Sequence, residues 1–329
     1  MIRIYLLVLI AVYLSGCSTW GEHGQIWCND RYREHENWTS ATGTAAVQGY
    51  MYALAAALVL QKEDPADKEA QDHHFSRPQR LEILDSPTRT SSGFEVTTFK
   101  LKRLYDAEED KIIIAFAGSN DRSDWISTNL NPFGRAQYDE ATEYTKKILN
   151  DSRVKGQKVI LTGISLGGGL AIHVLKNDDL EPFIEQVWAL NPSPKIYSPE
   201  PATDQMKRKT WLGYSDGEIL TWGRSPFMHA LIRGAGPIEP APNQTAVFNL
   251  IESNRIYAHF RWGIARQMLW IADYELTRES RDKWTEPFFI LQKSHFAACK
   301  TDPPEYSVKN NFQPKGPPPD YSGTTIFTK

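Results

Sequence analysis

Residues 158–170 read Lys-Val-Ile-Leu-Thr-Gly-Ile-Ser-Leu-Gly-Gly-Gly-Leu, and this stretch decides the fold. The apolar residues 159–161 predict a buried strand, and the apolar spacing from Leu170 onward predicts a helix. Between them, Gly-Ile-Ser-Leu-Gly at residues 163–167 predicts a tight turn with Ser165 at its tip. Glycines on both sides of the serine remove side chains that would collide there. This order of strand, turn and helix is typical of a nucleophile elbow.

A serine at such a turn projects its hydroxyl above the sheet. The N terminus of the following helix supplies free N–H groups and the positive end of the helix dipole, which stabilise the oxyanion formed when a serine attacks an acyl carbon. An ordinary glycine-rich turn between a strand and a helix is the alternative interpretation. Because both flanks fit the elbow, we predict that Ser165 is a nucleophile.

The N-terminal segment resembles a bacterial lipoprotein signal. Arg3 gives a positive start, residues 4–14 are apolar, and Leu-Ser-Gly-Cys ends at Cys17, where cleavage would precede a lipid-carrying cysteine. We expect residues 1–16 to be a signal peptide, with an uncleaved anchor as the alternative. Ser18 after the cysteine resembles lipoproteins of the Gram-negative outer membrane. The expected location is therefore the cell envelope, lipid-anchored at the outer membrane and facing the periplasm.

Composition restricts the possible partners. The net charge is −3 for 329 residues, and removal of Arg3 with the signal makes it −4, so the sequence predicts no nucleic-acid partner.

Cys28 and Cys299 are disulfide candidates in an oxidising periplasm, and two unpaired buried thiols are the alternative. No cysteines or histidines have metal-ligand spacing, so we expect neither a metal nor a cofactor.

Periodicity divides the chain into a tether at residues 17–40, one folded domain at 41–300 and a Pro-rich extended tail at 301–329. Residues 62–80 are charged and predict a surface excursion. The remaining spacing predicts helices at 41–61, 136–150 and 255–276, and strands at 94–104, 111–117, 187–190 and 211–220, the first two as an antiparallel hairpin.

A second motif brings a family into view. Residues 112–119 read Ile-Ile-Ile-Ala-Phe-Ala-Gly-Ser and are followed by Asp124-Trp125 and Asn129-Leu130. Together with the turn at Ser165, they resemble class 3 lipases of the α/β-hydrolase superfamily. This resemblance implies an α/β fold whose mostly parallel central sheet carries helices on both faces. It also implies oxyanion donors at Ser119, through its N–H and hydroxyl, and at the N–H of Leu166.

The serine needs an imidazole to take its proton and a carboxylate to fix the tautomer of that imidazole. In α/β-hydrolases the chain order is serine, then acid, then histidine. Asp216 follows the extended residues 211–215 at the position of the family's acid, and Glu218 is the alternative. Ser-Asp-Gly-Glu at 215–218 is also a turn signal.

Four histidines follow the nucleophile. His259 opens the long helix predicted at 255–276, resembles the family's histidine placed just ahead of a terminal helix, and is our candidate base. His229 and His295 are the alternatives, and a histidine packed in the core is a further reading of His259. His173 lies two turns into the elbow helix, where it cannot easily turn back to the serine.

The sequence thus predicts a membrane-tethered serine carboxylic-ester hydrolase, a lipase or phospholipase, with Ser165, His259 and Asp216 as its triad. The predicted partners are a lipid or other ester substrate and, through Cys17, the membrane. A non-catalytic hydrolase-fold lipoprotein of the envelope and an acyltransferase are the alternatives. The apolar loop at residues 221–238 is interpreted as a lid or as a loop that caps the core.

Overall fold

The computed structural model describes residues 38–61, 73–105, 108–118, 135–194, 196–197, 201–221, 238–250, 257–279 and 283–296. In this part of the chain, seven strands form one sheet in the order β2-β3-β4-β5-β6-β7-β8, and β1 and β9 pair separately. The strands are β1 (His73–His74), β2 (Leu81–Asp85), β3 (Val96–Leu101), β4 (Lys111–Phe116), β5 (Val159–Ile164), β6 (Ile184–Leu190), β7 (Thr210–Ser215), β8 (Thr245–Phe248) and β9 (His295–Phe296).

The sheet is mostly parallel. β2, β3 and β4 pair antiparallel, whereas β4 to β8 form four successive parallel pairs. The register places the C-terminal ends of these five strands at one edge of the sheet, with Phe116 opposite Gly163 and Ile164 opposite Leu190. Loops that leave this edge therefore converge, which is where open α/β sheets place their sites.

Helices cover both faces of the sheet. They are α1 (Ser40–Val59), α2 (Arg135–Leu149), α3 (Leu166–Leu175), α4 (Asp204–Lys209), α5 (Arg261–Leu276) and α6 (Glu286–Lys293). Side chains of a strand alternate between faces, so Ile113 of β4 packs in the layer of α1 and α5, while Ile112 and Ile114 pack in the layer of α2 and α3. Each face thus has its own apolar core.

Much of the predicted element order is confirmed. The helix predicted at 41–61 is α1, the helix at 136–150 is α2, and β3 and β4 form the predicted antiparallel hairpin. The predicted extended segment at 211–220 ends early, because β7 stops at Ser215. β2, β8 and α6 were not predicted from the sequence. None of the described helices is long and apolar enough to cross a membrane.

The prediction that residues 62–80 are a surface excursion is wrong for the described part of that segment. Phe75 is fully buried, and Arg80 is 5% exposed and pairs with Glu286 at the start of α6. The Tyr50 hydroxyl of α1 also donates to Glu286, at 2.6 Å. Burial alone would lower the pKa of Arg80, but the attraction and hydrogen bonds of Glu286 outweigh it and hold that pKa above its ordinary value.

One described residue extends the folded domain towards the N terminus. Trp38, near the end of the predicted tether, donates to the Glu275 carboxylate at 2.8 Å and packs edge-on against Tyr274, with ring centroids 5.0 Å apart. Both partners belong to α5, so Trp38 is anchored to the domain.

Candidate active site

Ser165 occupies a strained turn between β5 and α3. Its backbone has φ +60° and ψ −123°, a conformation that non-glycine residues rarely adopt. Its N–H donates to the Leu190 carbonyl at 2.9 Å, so the serine is the last position tied to the sheet before the chain turns into α3. The predicted order of strand, tight turn and helix is confirmed, and such strain is typical of functional positions.

Glycines make this turn possible. A Cβ atom on Gly167 would lie 2.1 Å from the Phe116 carbonyl oxygen, and one on Gly163 would lie 2.2 Å from the carbonyl carbon of Gly167. A Cβ on Gly118, just after β4, would lie 2.7 Å from the Ile164 oxygen and 3.3 Å from the Cβ of Ser165. Since real Cβ atoms do not approach backbone so closely, the end of β4 and the turn can pack together only without these side chains.

His259 contacts the serine. It lies in a 3-10 turn, Tyr257–His259, that immediately precedes α5, and its Nε2 is 2.8 Å from the Ser165 hydroxyl oxygen. The histidine is 4% exposed and the serine 6%. The imidazole is therefore placed to accept the serine proton in a site that is largely closed to solvent.

The other candidate histidines do not take this position. His173 lies on α3 and packs edge-on against Tyr138, with ring centroids 5.0 Å apart. Burial lowers its pKa to about 4. His295 is exposed and pairs opposite His74 in the separate two-stranded sheet, and His229 lies outside the described residues.

The carboxylate beside His259 belongs to Glu218. Its Oε2 is 2.6 Å from His259 Nδ1 and also accepts the Leu220 N–H at 2.9 Å, while Oε1 accepts the Thr221 hydroxyl at 3.3 Å. Glu218 is 1% exposed. A carboxylate fixed in this way holds the histidine tautomer with Nδ1 protonated, which leaves Nε2 free to accept from Ser165.

The prediction of Asp216 at this position is therefore wrong. β7 ends at Ser215, and Asp216 and Gly217 form the turn that follows, with Gly217 at φ +65°. Asp216 is exposed, and its N–H donates to the Phe248 carbonyl at 2.8 Å. The turn carries the chain back into the protein, so the carboxylate two residues later is the buried one.

The predicted oxyanion donors are described only in part. Leu166 is the first residue of α3, so its N–H has no acceptor within the helix and lies next to the nucleophile. Ser119 lies outside the described residues, directly after Gly118. Cys17, Cys28, Cys299 and most of the loop at 221–238 also lie outside them. Within the described ranges, no group of three or more metal-ligating side chains occurs.

One family model matches part of the chain. Residues 51–177, which include the C-terminal half of α1, β4 and the turn at Ser165, match the phospholipase-like family described as a Tle-like phospholipase domain. No curated protein matches the chain significantly.

Solved structures with a similar arrangement include several lipases. A triacylglycerol lipase described as having a serine protease triad at its catalytic centre has a TM-score of 0.34 and 18% identity, over 57% of this chain and 73% of its own. Lip2 lipase from Yarrowia lipolytica has a TM-score of 0.40 and 12% identity, over 70% and 97%. The Rhizomucor miehei lipase propeptide complex has a TM-score of 0.38 and 14% identity, over 71% and 81%.

The parallel sheet, the helices on both its faces and the serine turn that leaves its C-terminal edge are the features predicted from the sequence motifs. The match of residues 51–177 covers the first half of this arrangement, including the serine turn. These features give the chain the arrangement of an α/β-hydrolase fold, with the serine turn at the C-terminal ends of the parallel strands.

Proposed function

We propose that the protein is a serine carboxylic-ester hydrolase in which Ser165, His259 and Glu218 form the catalytic triad. The observation that carries this proposal is the hydrogen-bonded line from the Ser165 hydroxyl through His259 to Glu218, with distances of 2.8 and 2.6 Å. All three residues are less than 10% exposed. In a buried site these interactions act through a low effective dielectric, which strengthens them relative to water.

The proposed reaction has two steps. Ser165 attacks the acyl carbon while its proton passes to His259 Nε2, and the same proton then goes to the departing alcohol oxygen. Water then attacks the acyl carbon while Nε2 takes its proton, and Nε2 returns this proton to the Ser165 oxygen as the bond to the acyl carbon breaks and the carboxylic acid leaves. Glu218 stabilises the imidazolium that forms in both steps. The Leu166 N–H donates to the oxyanion, and Ser119 is proposed as the second donor.

A phospholipid is the proposed substrate class. The match of residues 51–177 to a Tle-like phospholipase domain supports an ester of this kind. The proposed attack at the acyl carbon leaves the phosphate ester intact, so the products are a free fatty acid and a lysophospholipid. No cofactor is needed for this chemistry.

We also propose that Cys17 carries the lipid anchor that holds the enzyme at the outer membrane, facing the periplasm, next to its substrate. The support is the positive start, the apolar stretch and the cysteine in residues 1–17. Growth with an alkyne-tagged fatty acid tests the anchor. The full-length protein should take up the tag, and the Cys17→Ala variant should not.

Hydrolysis of phosphatidylcholine vesicles tests the function. We expect fatty acid and lysophosphatidylcholine in equal amounts, and neither product with the Ser165→Ala variant. Added ethanol distinguishes transfer to an alcohol, because an acyltransferase would form the ethyl ester in preference to the free acid. If native, folded protein releases no fatty acid from any phospholipid, glyceride or simple ester, the proposal is wrong.

A further inference from the structure

The geometry points to Asn191 as a positioning residue. It fixes the loops that carry Glu218 and His259 in place relative to the turn of Ser165. Asn191 follows β6 directly, is fully buried and has φ +43°. It touches neither the serine hydroxyl nor the imidazole among the hydrogen bonds of the described residues, so its effect on chemistry must pass through other groups. This inference depends on the proposed function.

The side-chain amide of Asn191 joins two loops. Its Oδ1 accepts the N–H of Ser215 at 2.7 Å, and its Nδ2 donates to the Ser215 hydroxyl at 3.2 Å and to the Ala258 carbonyl at 3.4 Å. Ser215 is the last residue of β7, and its carbonyl accepts the N–H of Glu218 at 3.4 Å. Ala258 is the residue before His259. One amide therefore fixes the chain just before both partners of the serine.

The backbone connects Asn191 to the nucleophile as well. Its N–H donates to the Gly213 carbonyl at 2.7 Å, and the preceding residue, Leu190, accepts the N–H of Ser165 at 2.9 Å. Asparagine suits this position for two reasons. It tolerates a positive φ better than most residues, and its amide offers a donor and an acceptor at once. A buried amide with both functions used gives a rigid link between segments that are distant in sequence.

Substituting Asn191→Gly removes the amide and keeps the backbone conformation accessible. Because catalysis depends on the placement of reacting groups to within about 1 Å, we expect kcat for a p-nitrophenyl ester to fall about 10- to 100-fold. KM should change much less, since no contact with the substrate is lost. Asn191→Asp is the second variant. It keeps the acceptor for the Ser215 N–H but faces the Ala258 carbonyl with an oxygen instead of a donor, and we expect the same loss of kcat.

A spectroscopic signal makes the test independent of turnover. The Nδ1 proton shared between His259 and Glu218 lies in a short, charge-assisted hydrogen bond and should give a far-downfield proton resonance, which His259→Ala removes. We expect Asn191→Gly and Asn191→Asp to shift or broaden this resonance. If native protein shows the resonance but hydrolyses no ester, the proposed function fails while the positioning role is still measured.

Tyr50→Phe is the matched control. It also removes one side-chain hydrogen bond, from half-buried Tyr50 to Glu286, but it acts near the opposite end of the parallel strands, where Arg80 donates to the carbonyl of Lys102 after β3. This control should keep both kcat and the downfield resonance. If folded Asn191→Gly or Asn191→Asp keeps the kcat and the resonance of the native protein, Asn191 is not a positioning residue. The same conclusion follows if the Tyr50→Phe control loses as much kcat as they do.

Discussion

Replacing Glu218 by Gln removes one charge from the site and keeps the shape of the side chain. The native carboxylate is 2.6 Å from His259 Nδ1 and is also held by the Leu220 N–H at 2.9 Å. A glutamine can turn its NH2 group towards Nδ1, which then becomes the acceptor and leaves the hydrogen on Nε2. A protonated Nε2 cannot take the proton of Ser165. The substitution therefore removes both the charge and the correct tautomer.

The size of the effect follows from this geometry. When His259 takes the serine proton, the imidazolium and the carboxylate have charge centres about 4 Å apart, which corresponds to about 4 kcal/mol at an effective dielectric of about 20. A change of about 1.4 kcal/mol in the barrier alters the rate tenfold. The lost charge alone should therefore lower kcat about 1,000-fold, and the wrong tautomer adds to this loss.

Initial rates of p-nitrophenyl butyrate hydrolysis measure the effect, with Asp216→Asn as the matched control. Both variants exchange a carboxylate for an amide, and they lie two residues apart. Because Asp216 is exposed in the turn, its variant should stay within about twofold of the native rate. The reasoning is refuted if Asp216→Asn loses activity while Glu218→Gln, shown to be folded by circular dichroism, stays within tenfold of the native enzyme.

Three further predictions concern packing and stability. Gly167→Ala places a Cβ 2.1 Å from the Phe116 carbonyl oxygen, so it should reduce the free energy of unfolding by at least about 1–3 kcal/mol. The thermal midpoint and the rate of ester hydrolysis should both fall. A native midpoint and rate would contradict the packing argument. Glu286→Gln leaves Arg80 buried without its charge partner and should reduce the free energy of unfolding, measured with urea, by about 3–5 kcal/mol. Glu143→Gln removes an exposed ion pair and should reduce it by less than about 1 kcal/mol. Equal losses would contradict the role of the buried pair. Burial lowers the pKa of His173 from 6.5 to about 4, so between these pH values the unfolded chain binds more protons than the folded one. The free energy of unfolding should therefore fall as the pH drops from 6.5 to 4, by no more than about 3 kcal/mol. If His173→Gln shows the same slope of unfolding free energy against pH, another group causes it.

The sequence was sufficient for the parts of the site that depend on local chemistry. The turn at Ser165 needs glycines on both sides, an apolar strand before it and a helix after it, and all of these requirements are visible in consecutive residues. His259 could be proposed because its place at the start of a predicted helix resembles that of the histidine in class 3 lipases. Its choice over His295 needed the fold, since only the structure shows that His295 belongs to a separate two-stranded sheet.

The acid shows what spacing alone does not decide. Asp216 and Glu218 are two residues apart after the same strand, and either could carry the charge. The deciding feature is the turn, because Asp-Gly is a preferred turn pair and Gly217 adopts a positive φ. If Asp216 and Gly217 form the turn, the first carboxylate after the turn is that of Glu218, which makes Glu218 the better candidate for the acid.

Long-range pairing explains the elements that were missed. The charged segment at residues 62–80 predicts an exposed Arg80, yet Arg80 is buried because Glu286, 206 residues later, neutralises it. Likewise, β8 has four residues and every second one is exposed, so its apolar signal in the sequence is weak. Its backbone pairs in parallel with β7, more than 30 residues earlier in the chain. Neither partner can be identified from local sequence.

Covalent labelling of Ser165 tests the central claim most directly. The native protein is treated with a fluorophosphonate and the adduct is located by peptide mass spectrometry. The triad predicts a single adduct at Ser165, none on the Ser165→Ala variant, and labelling that is slowed by orders of magnitude in His259→Ala and Glu218→Gln but not in Asp216→Asn. Folded native protein that takes up no label, or whose labelling is unaffected by loss of His259, would contradict it.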